Sequence, residues 1–542
     1  MRDEADAWAL ARWLRSSGAM NPPNPLNPAG EREAPGGGAW DAIVLDLDGV
    51  LTTTAGLHFR AWKAAFDPLL AARGAEPFGR EDYLRYVDGR PRLDGAAGFL
   101  EGRGIDLPPG DPGAAGAGTV NGLAAAKNER FQRLLEEEGV RVFPDARQRL
   151  RAWRARGLKL AVATSSRNGA RVLRAAGLEQ ACDACVDGED LAREGLPGKP
   201  DPDLFLLAAR RLGVDPARTV LVEDAVAGVA AGRTGGFGLV VGLRREGDGA
   251  ELRAAGADLV LRDLRGLGPD GAPRVRPADE LPSLLERPGW QGRLAGRRLA
   301  VFLDYDGTLT PIVADPARAL LAPGMRQALL ALSGRHRTVV VSGRDRQDVA
   351  GKVAIPGLIY AGSHGFDIAG PGVAREHARA QEYLPALERA EGQLEEALSG
   401  VGGAQVERKR YALTVHFRNV GQADVPRVAE AARAAGEEQG LRVSGGRKIF
   451  ELQPPVGWDK GQAVLWLRDA LELAQPDVTV LYVGDDLTDE DAFLALRELR
   501  EERGQPTLSL LVGCPDRVSA ADYRLPEDPA AVERLLRELA AV

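Results

Sequence analysis

The sequence predicts an α/β protein with two parallel-sheet domains. Short apolar runs rich in β-branched residues alternate with helix-like stretches through both halves of the chain, a pattern typical of a parallel sheet flanked by helices. The strand-end sequence IVLDLDGVLTTT (43–54) returns as VFLDYDGTLTPI (301–312). Each half also carries one long insertion within its core. Together these observations indicate two copies of one architecture in tandem.

The individual elements follow from these runs. In the first half, strands are predicted at 42–47, 158–163, 219–222 and 238–241, with helices between them such as 144–156 and 201–212. In the second half, strands are predicted at 299–303, 338–341, 358–361, 478–483 and 508–512. The insertion of the first half, about 57–141, is predicted to be mostly helical. That of the second, about 367–446, predicts a small α+β unit: helix (382–398), strand (404–418), helix (425–438) and strand (441–452).

These patterns divide the chain into four segments. Residues 1–39 are predicted to be a disordered tail, because 21–38 is rich in Pro, Gly and Asn. Met20 offers a second possible start, so the sequence alone does not decide whether residues 1–38 are translated. Residues 40–265 and 297–542 are predicted to be the two domains. The turn-rich stretch 266–296 between them is predicted to be a linker with a short helix.

Composition excludes several classes of function. The 542 residues carry a net charge of −8, whereas a non-specific nucleic-acid binder needs a basic surface. Three cysteines cannot form a disulfide framework, which indicates a reducing compartment and favours the cytoplasm. The sequence contains no run of 18 apolar residues, so no membrane span is predicted. The first 20 residues lack the pattern of a signal peptide. The sequence gives no oligomeric state.

Two aspartates one residue apart close the first strand of each half: Asp46 and Asp48, then Asp304 and Asp306. Residues two apart on an extended chain point the same way, and open α/β sheets bind ligands beyond the carboxyl ends of their strands. Two converging carboxylates repel each other unless a cation lies between them. Their oxygens suit Mg²⁺, which commonly bridges carboxylates and a substrate phosphate. A carboxylate can also act as a nucleophile and form an aspartyl-phosphate.

The same series of partners follows each aspartate pair, every time at the end of a strand. A hydroxyl comes first and can donate to a phosphate oxygen. A lysine follows, able to neutralise developing phosphate charge, and an acidic group comes last. The series is Thr164, Lys199, Glu223 and Asp224 in the first half, and Ser342, Lys460, Asp485, Asp486 and Asp489 in the second. The alternative for each aspartate pair is a solvated turn at a strand end with no site. The repetition of the whole series in both halves argues against this alternative.

Both halves therefore resemble phosphotransferases of the haloacid-dehalogenase (HAD) superfamily, over about 40–265 and 297–540. The resemblance implies two Rossmann-like cores, the first with a helical cap and the second with an α+β cap. It implies that Asp304 is the nucleophile and that Asp306 is the general acid and then the base. Mg²⁺ would be held by Asp304, the main-chain carbonyl of Asp306 and an acid of GDD, most directly Asp485. The first-half counterparts are Asp46, Asp48, Glu223 and Asp224.

The second half resembles trehalose-6-phosphate phosphatases in the ordered series LDYDGTLTPI, SGR, GSHGF, YALTVHFR, KIFELQP, DKGQA and GDDLTDEDAF. The resemblance implies hydrolysis of trehalose 6-phosphate under the cap. The matching substrate residues are Arg344, His364, Glu407, Lys409, His416, Arg418, Lys448 and Glu451. If QVERKRYALTVHFR forms one strand, Glu407, Lys409 and Tyr411 share one face. For any one of these cap residues, a solvated strand face is the alternative.

The first half resembles β-phosphoglucomutases in DLDGVLTTTAGLHFRAW. The resemblance implies site roles for His58, which could orient Asp48, and for Thr54, Trp62, Arg92, Lys127, Arg167 and Asn168. A capping or core histidine is the alternative for His58. β-Glucose 1-phosphate is a possible substrate. However, Thr53 stands where these mutases commonly have an acid, and the cap loop YVDGRPRLDG differs. Three hypotheses stay open for this half: a mutase, a sugar-phosphate phosphatase, or a non-catalytic module that binds a sugar phosphate.

Overall fold

The computed structural model describes residues 40–111, 116, 118–245, 249–313, 316–446 and 448–542. The tail predicted for residues 1–39 lies outside this part of the chain. The described residues fall into two compact units, which divide between Pro273 and Arg274. No helix among the described residues is long and apolar enough to cross a membrane.

The core of the first unit is a parallel sheet of six strands in the order β3-β2-β1-β4-β5-β6. The strands are β1 (Ala42–Leu45), β2 (Lys159–Ala163), β3 (Ala184–Val186), β4 (Thr219–Glu223), β5 (Leu239–Leu243) and β6 (Leu259–Leu261). The core helices are Pro144–Ala155, Gly169–Ala176, Gly188–Glu194, Asp203–Leu212, Val226–Thr234 and Ala250–Ala254. β1 and β4 are buried along their whole length, which is why they read as continuous apolar runs.

The cap of the first unit is helical, as predicted, and enters between β1 and β2. Its α-helices are Ala55–Ala71, Arg80–Asp82, Arg92–Gly102 and Val120–Glu138, with a π-helical turn at Tyr83–Val87. Aromatic rings form its core: Phe66 lies 4.2 Å from Phe99 and 5.2 Å from Phe78, centroid to centroid. The first cap helix starts only seven residues after Asp48, so the cap directly adjoins the end of β1.

The core of the second unit is an eight-stranded sheet in the order β12-β11-β10-β9-β8-β17-β18-β20. The strands are β8 (Arg298–Leu303), β9 (Arg337–Val341), β10 (Ile359–Gly362), β11 (Asp367–Gly370), β12 (Val373–Glu376), β17 (Val478–Gly484), β18 (Thr507–Val512) and β20 (Tyr523–Leu525). Its larger helices are Pro323–Ser333, Arg346–Val353, Lys460–Ala470, Asp489–Arg503 and Pro529–Ala541. β11 and β12 pair antiparallel and extend the core sheet. The predicted start of the cap at 367 is therefore wrong, because the turn at Pro371 and Gly372 returns the chain to the sheet.

The cap of the second unit has helices Leu384–Leu398 and Val425–Gln439 beside a four-stranded antiparallel sheet in the order β13-β14-β16-β15. The strands are β13 (Gln405–Lys409), β14 (Ala412–His416), β15 (Arg442–Gly446) and β16 (Ile449–Gln453). Each of the two predicted strands, 404–418 and 441–452, is thus a hairpin of two strands. The prediction that Glu407, Lys409 and Tyr411 share one face of a strand is wrong. No Gly or Pro marks the first turn. Instead the Arg410 amide donates to Asp345 at 2.9 Å and Tyr411 is fully buried.

Residues 266–296, predicted to be a linker, are divided between the two units. In the first unit Trp153 Nε1 donates to the carbonyl of Gly268 at 2.8 Å. In the second unit β7 (Arg276–Pro277) pairs with β19 (Val518–Ser519), and Trp290 is 2% exposed within the core. The predicted short helix is replaced by single 3₁₀ turns at Ala278–Glu280 and Gln291–Arg293. Burial of large apolar side chains holds this turn-rich sequence against both cores.

Candidate active sites

Each unit places a buried lysine between two carboxylates at the ends of adjacent parallel strands. Lys199 Nζ contacts Asp46 Oδ1 at 2.6 Å and also Glu223. In the second unit Lys460 Nζ contacts Asp304 Oδ1 and Asp489 Oδ1, both at 2.8 Å. All six side chains are almost inaccessible. β1 pairs with β4 and β8 with β17, and these pairings bring the strand ends together.

The second carboxylate of each lysine occupies a different place in the two sequences. Glu223 ends β4 and accepts the Ala225 amide at 2.6 Å. Asp489 lies a turn beyond β17, and its Oδ2 accepts the amides of Asp485 and Asp486 at 3.0 Å each. Tyr482 also donates to Asp489 Oδ1 at 2.7 Å. By contacts, therefore, the counterpart of Glu223 is Asp489 and not a residue of the GDD sequence.

The structure supplies a group that could hold a divalent cation in the second unit. Among the described residues, only Asp304, Asp485 and Asp489 bring three ligand atoms within 4.8 Å of one another. Burial and the crowding of carboxylates raise the pKa of Asp485 to about 8 and that of Asp304 well above its usual range. A cation would relieve this repulsion, and an all-oxygen donor set suits Mg²⁺.

A glycine makes room for this group in each unit. Gly307 has φ +86°, and a Cβ there would lie 2.1 Å from Asp485 Oδ2. Gly49 has φ +89°, and a Cβ there would lie 1.8 Å from Asp224 Oδ2. Asp224 and Asp485 are therefore counterparts. Burial, followed by the neighbouring Glu223, raises the pKa of Asp224 well above its usual range.

Asp486, a predicted metal residue, is directed elsewhere. Its Oδ1 accepts the amides of Thr488 and Asp489 at 2.8 and 3.2 Å, and 53% of its side chain is exposed. Lys460 Nζ is 3.8 Å away. Asp486 thus orders the start of the helix Asp489–Arg503 and does not join the three-carboxylate group.

The predicted acid–base residue of the first unit, Asp48, is surrounded by uncharged or weakly basic donors. Thr54 Oγ1 donates to its Oδ1, and His58 Nε2 lies 3.4 Å from the same oxygen. Thr164 Oγ1 donates to Oδ2 at 3.3 Å. His58 Nδ1 is 2.7 Å from Lys127 Nζ. Burial, then Lys127, lowers the pKa of His58, so this histidine is neutral near pH 7.

Its counterpart, Asp306, is held by an arginine instead. Arg344 Nε and Nη2 donate to the two carboxylate oxygens at 2.6 and 2.7 Å. Arg344 Nη1 donates to Asp348 at 3.0 Å. The Arg344 amide also donates to Ser342 Oγ at 3.1 Å, as the Ser166 amide does to Thr164 Oγ1 at 3.1 Å. The two predicted phosphate-binding hydroxyls, of Ser342 and Thr164, thus lie at equivalent turns in the two units.

The predicted substrate residues of the second unit form two groups. In the first, Glu451 contacts Lys409 at 3.2 Å and His364 at 3.3 Å, while His416 pairs with Glu407 at 2.8 Å. His364 belongs to the core and has φ +56°, so its contact with Glu451 joins core and cap. The second group, Arg418 and Lys448, is exposed and lines a separate cavity of about 880 Å³ together with Gly307, Asp485, Cys514 and Glu527.

The site of the first unit lines a cavity of about 60 Å³. Its lining includes the predicted residues Asp46, Asp48, His58, Trp62, Arg92, Lys127, Thr164, Arg167, Asn168, Lys199, Glu223 and Asp224. Thr54 does not line it, and its hydroxyl contacts Asp48 and Thr52. Arg92 Nε is buried without a hydrogen-bond partner. Asn168 donates to Asn128 of the cap at 2.9 Å.

Sequence reasoning missed several residues of these sites, among them Asp88, Ser165 and Asp348. Asp88 and Ser165 line the first cavity, and Ser165 Oγ donates to the Gly89 carbonyl at 2.9 Å. Burial, then Glu223, raises the pKa of Asp88 to about 6. Asp348 beside Arg344 was also missed. Its spacing of four from Arg344 within the helix-like RDRQD was the available signal.

Two family models match the chain. The one described as trehalose-phosphatase matches residues 302–529, and the one described as haloacid dehalogenase-like hydrolase matches residues 40–236. Each match covers one of the two sites. The predicted pair of HAD-type domains is thereby confirmed.

Individual proteins match over different lengths. A Mycobacterium tuberculosis protein named as an uncharacterized glycosyl hydrolase is 39% identical over 524 residues, 92% of this chain. This chain spans only 38% of the length of that relative. The trehalose-phosphate phosphatase of Mycobacterium tuberculosis is 40% identical over 347 residues, 62% of this chain and 86% of that protein. The solved β-phosphoglucomutase of Clostridium difficile covers 42% of this chain and 93% of its own, with 24% identity and a TM-score of 0.35.

Proposed function

The chain belongs to the trehalose-phosphate phosphatase family, and on that premise we propose that its C-terminal site hydrolyses trehalose 6-phosphate to trehalose and phosphate. One observation carries the proposal. A buried aspartate, Asp304, is held by Lys460 beside Asp306 at the end of β8, below a cap with polar side chains. This is the arrangement that phosphoryl transfer to a carboxylate requires.

In the proposed reaction the Asp304 oxygen that Lys460 does not contact attacks phosphorus. Asp306 protonates the leaving sugar oxygen as the ester bond breaks, and an aspartyl-phosphate forms. Asp306 then takes a proton from water, whose oxygen attacks the phosphorus and releases phosphate and free Asp304. Ser342 donates to a phosphate oxygen, and Lys460 offsets negative charge in both steps. Asp489 holds Lys460 in place.

The acidic group of the second unit fits a Mg²⁺ ion. Asp304, Asp485 and the main-chain carbonyl of Asp306 would hold it, and the bound ion would neutralise charge on the phosphate. The cap residues would contact sugar hydroxyls and set the preference for a disaccharide. Of these, Lys409 and Glu451 lie near the His364 loop, while Arg418 and Lys448 face the larger cavity.

The first test is release of phosphate from trehalose 6-phosphate with Mg²⁺. Asp304→Asn should abolish it, and Asp46→Asn, the matched change in the other unit, should leave it intact. Full activity in Asp304→Asn would refute the assignment and make Asp46 the nucleophile to examine.

For the N-terminal site we propose phosphoryl transfer on a sugar phosphate that carries a second anionic group. The supporting observation is the pair Arg92 and Arg167 in the lining of the cavity that holds Asp46, with Arg92 Nε unpartnered. A cavity of about 60 Å³ cannot hold a sugar phosphate, so the cap must open to admit it. The mutase hypothesis also requires the cap to close again, because a mutase must keep water from its aspartyl-phosphate.

The mutase and phosphatase hypotheses differ in their product. β-Glucose 1-phosphate with a trace of hexose bisphosphate should yield hexose 6-phosphate in a mutase, but free phosphate in a phosphatase. Asp46→Asn should stop either reaction. If wild type turns over neither compound but binds one, as measured by calorimetry, the module is a sugar-phosphate sensor.

The cytoplasm is the proposed location of the enzyme. Cys182, Cys185 and Cys514 are all free thiols. Burial raises the pKa of Cys182 to about 12 and that of Cys185 to about 11. Burial thus favours the protonated thiols of Cys182 and Cys185, which supports a packing role for both.

A further inference from the structure

The turn formed by Asp485 and Asp486 is held by hydrogen bonds on two sides. On one side, Asp489 Oδ2 accepts the amides of both residues at 3.0 Å each. On the other side, Arg517 Nη2 donates to the main-chain carbonyls of the same two residues, at 3.2 and 3.0 Å. Because four main-chain groups of two successive residues are bonded, the direction in which the Asp485 side chain leaves the backbone is fixed.

Arg517 is anchored in its turn. Its side chain is 17% exposed, and its Nη2 lies 3.5 Å from Glu490 Oε1. Glu490 lies in the first turn of the helix Asp489–Arg503, and its Oε2 accepts the Ala520 amide at 2.8 Å. The Arg517 carbonyl accepts the amide of Ala278 at 3.0 Å, beside the pairing of β7 with β19. The arginine is thus held by both its side chain and its main chain.

The position of Asp485 requires such a restraint. Its carboxylate belongs with those of Asp304 and Asp489 to the group whose ligand atoms lie within 4.8 Å of one another. Carboxylates at this spacing repel one another when no cation lies between them. This repulsion pushes the turn that carries Asp485 outward, and the bonds from Arg517 to the carbonyls of the turn oppose that movement.

We propose that Arg517 is a positioning residue for the divalent cation of the C-terminal site: it keeps the carboxylate of Asp485 beside that of Asp304. The inference rests on the proposed function, in which Asp304 and Asp485 hold Mg²⁺. Arg517 contacts neither of these carboxylates and acts through the main chain of the turn. Groups that orient a metal ligand in this way typically contribute 10- to 100-fold in metal affinity.

An arginine at the corresponding place in the first unit supports this role. Arg245 follows β5, the strand next to β4, as Arg517 follows β18, the strand next to β17. Arg245 Nε and Nη2 donate to the carbonyls of Gly49 and Val50 at 3.2 and 2.9 Å. Gly49 is the residue that makes room for Asp224. The first unit therefore fixes the glycine loop of this contact, and the second unit fixes the acidic turn.

The test measures Mg²⁺ binding by calorimetric titration of the whole, metal-free chain. Every protein compared carries Asp224→Asn, which weakens the corresponding position of the first unit, so that the titration reports the second unit. Arg517→Met should raise the dissociation constant for Mg²⁺ about tenfold. Loss of a positive charge near carboxylates would by itself tighten cation binding, so weaker binding identifies a displaced turn. Arg517→Lys keeps a donor and the charge, and should recover part of the affinity.

Arg326→Met is the matched control. Arg326 also donates to two successive carbonyls, those of Val353 and Ala354. These carbonyls lie where the helix Arg346–Val353 ends and the chain turns into the start of β10, at the edge of the sheet opposite the site. The variant loses the same kind of contact, so it reports the cost in stability alone and should keep the Mg²⁺ affinity of its parent.

Weaker Mg²⁺ binding in Arg517→Met, partly restored in Arg517→Lys and absent from Arg326→Met, supports the inference. Unchanged affinity in Arg517→Met would overturn it even if the melting temperature falls, because the bonds to Asp489 would then suffice. An equal loss in Arg326→Met, or no Mg²⁺ binding by the parent chain, would overturn it as well. If the wild type binds Mg²⁺ but releases no phosphate from trehalose 6-phosphate, the proposed function fails, while the titration alone still decides the role of Arg517.

Discussion

The two sites share a lysine-bound aspartate, the proposed nucleophile, but differ in what surrounds the proposed acid–base carboxylate. Asp46–Lys199 and Asp304–Lys460 are built alike from adjacent strand ends. Beside them, Asp48 is contacted by hydroxyls and an imidazole, and Asp306 by an arginine. The cavity beside the first site measures about 60 Å³ and that beside the second about 880 Å³.

The point of cap insertion explains this difference. In the first unit the cap follows directly after Asp48, so its first helix supplies His58 from within the inserted segment. In the second unit the cap follows β12. The neighbours of Asp306 then come from the core loop after β9, which carries Arg344. The sheet thus positions the lysine-bound aspartate in both units, whereas the inserted segment supplies neighbours of the second aspartate only in the first unit.

The largest expected effect tests whether Lys460 and Lys199 belong to separate sites. Lys460→Met should lower phosphate release from trehalose 6-phosphate by about 10²–10³. It should also destabilise the second unit by about 3–5 kcal/mol, because Asp304 and Asp489 lose their buried counter-ion. Lys199→Met, its counterpart, should leave phosphate release unchanged. Steady-state kinetics and calorimetry measure both effects, and an equal loss in Lys199→Met would contradict separate sites.

The next effect tests Gly307 and Gly49, the glycines that make room for Asp485 and Asp224. Gly307→Ala adds a methyl group that would meet Asp485 Oδ2, so the Mg²⁺ concentration for half-maximal phosphate release should rise about 10- to 100-fold. Gly49→Ala makes the same change beside Asp224 and is the control. The proposed metal position is wrong if both variants keep the wild-type Mg²⁺ dependence.

A smaller effect tests the cap of the second unit. Glu407→Gln weakens the ion pair between Glu407 and His416. The Glu407 side chain is 46% exposed in this pair. If Glu407 contacts sugar, KM for trehalose 6-phosphate should rise about fivefold, in keeping with one hydrogen bond, while kcat stays unchanged. Glu395→Gln, on an exposed cap helix face, should change neither. A fall in kcat alone would argue for a different role.

The remaining prediction is a pH dependence of stability confined to the first unit. Burial, then Arg92, lowers the pKa of Lys127 to about 7, against about 10.4 in an unfolded chain. Between these values the unfolded chain binds more protons, so stability should rise with pH from about 7 to 10. Lys127→Met should flatten this rise in thermal unfolding of the whole chain. Lys63→Met, at an exposed lysine, should not, and equal slopes in both variants would disprove the explanation.

Local patterns predicted the cores and not the details that depend on distant contacts. The strand-end aspartates were predictable because two-residue spacing on a strand fixes their direction. The hairpin at Arg410 was not, because its turn is held by Asp345, 65 residues away. Asp489 was grouped with the metal acids on sequence order, although its contacts match those of Glu223. The partner of Arg344, four residues on, was predictable in principle from helical spacing.

The packed stretch 266–296 determines where the chain can be cut. A fragment ending at the predicted boundary, 265, would lose the Gly268 carbonyl that accepts the Trp153 indole. A fragment starting at 297 would lose β7 and Trp290, and would open the core of the second unit. Cloning the halves separately therefore requires a junction between Pro273 and Arg274. A fragment that fails to fold when cut elsewhere says nothing about whether its half is an autonomous enzyme.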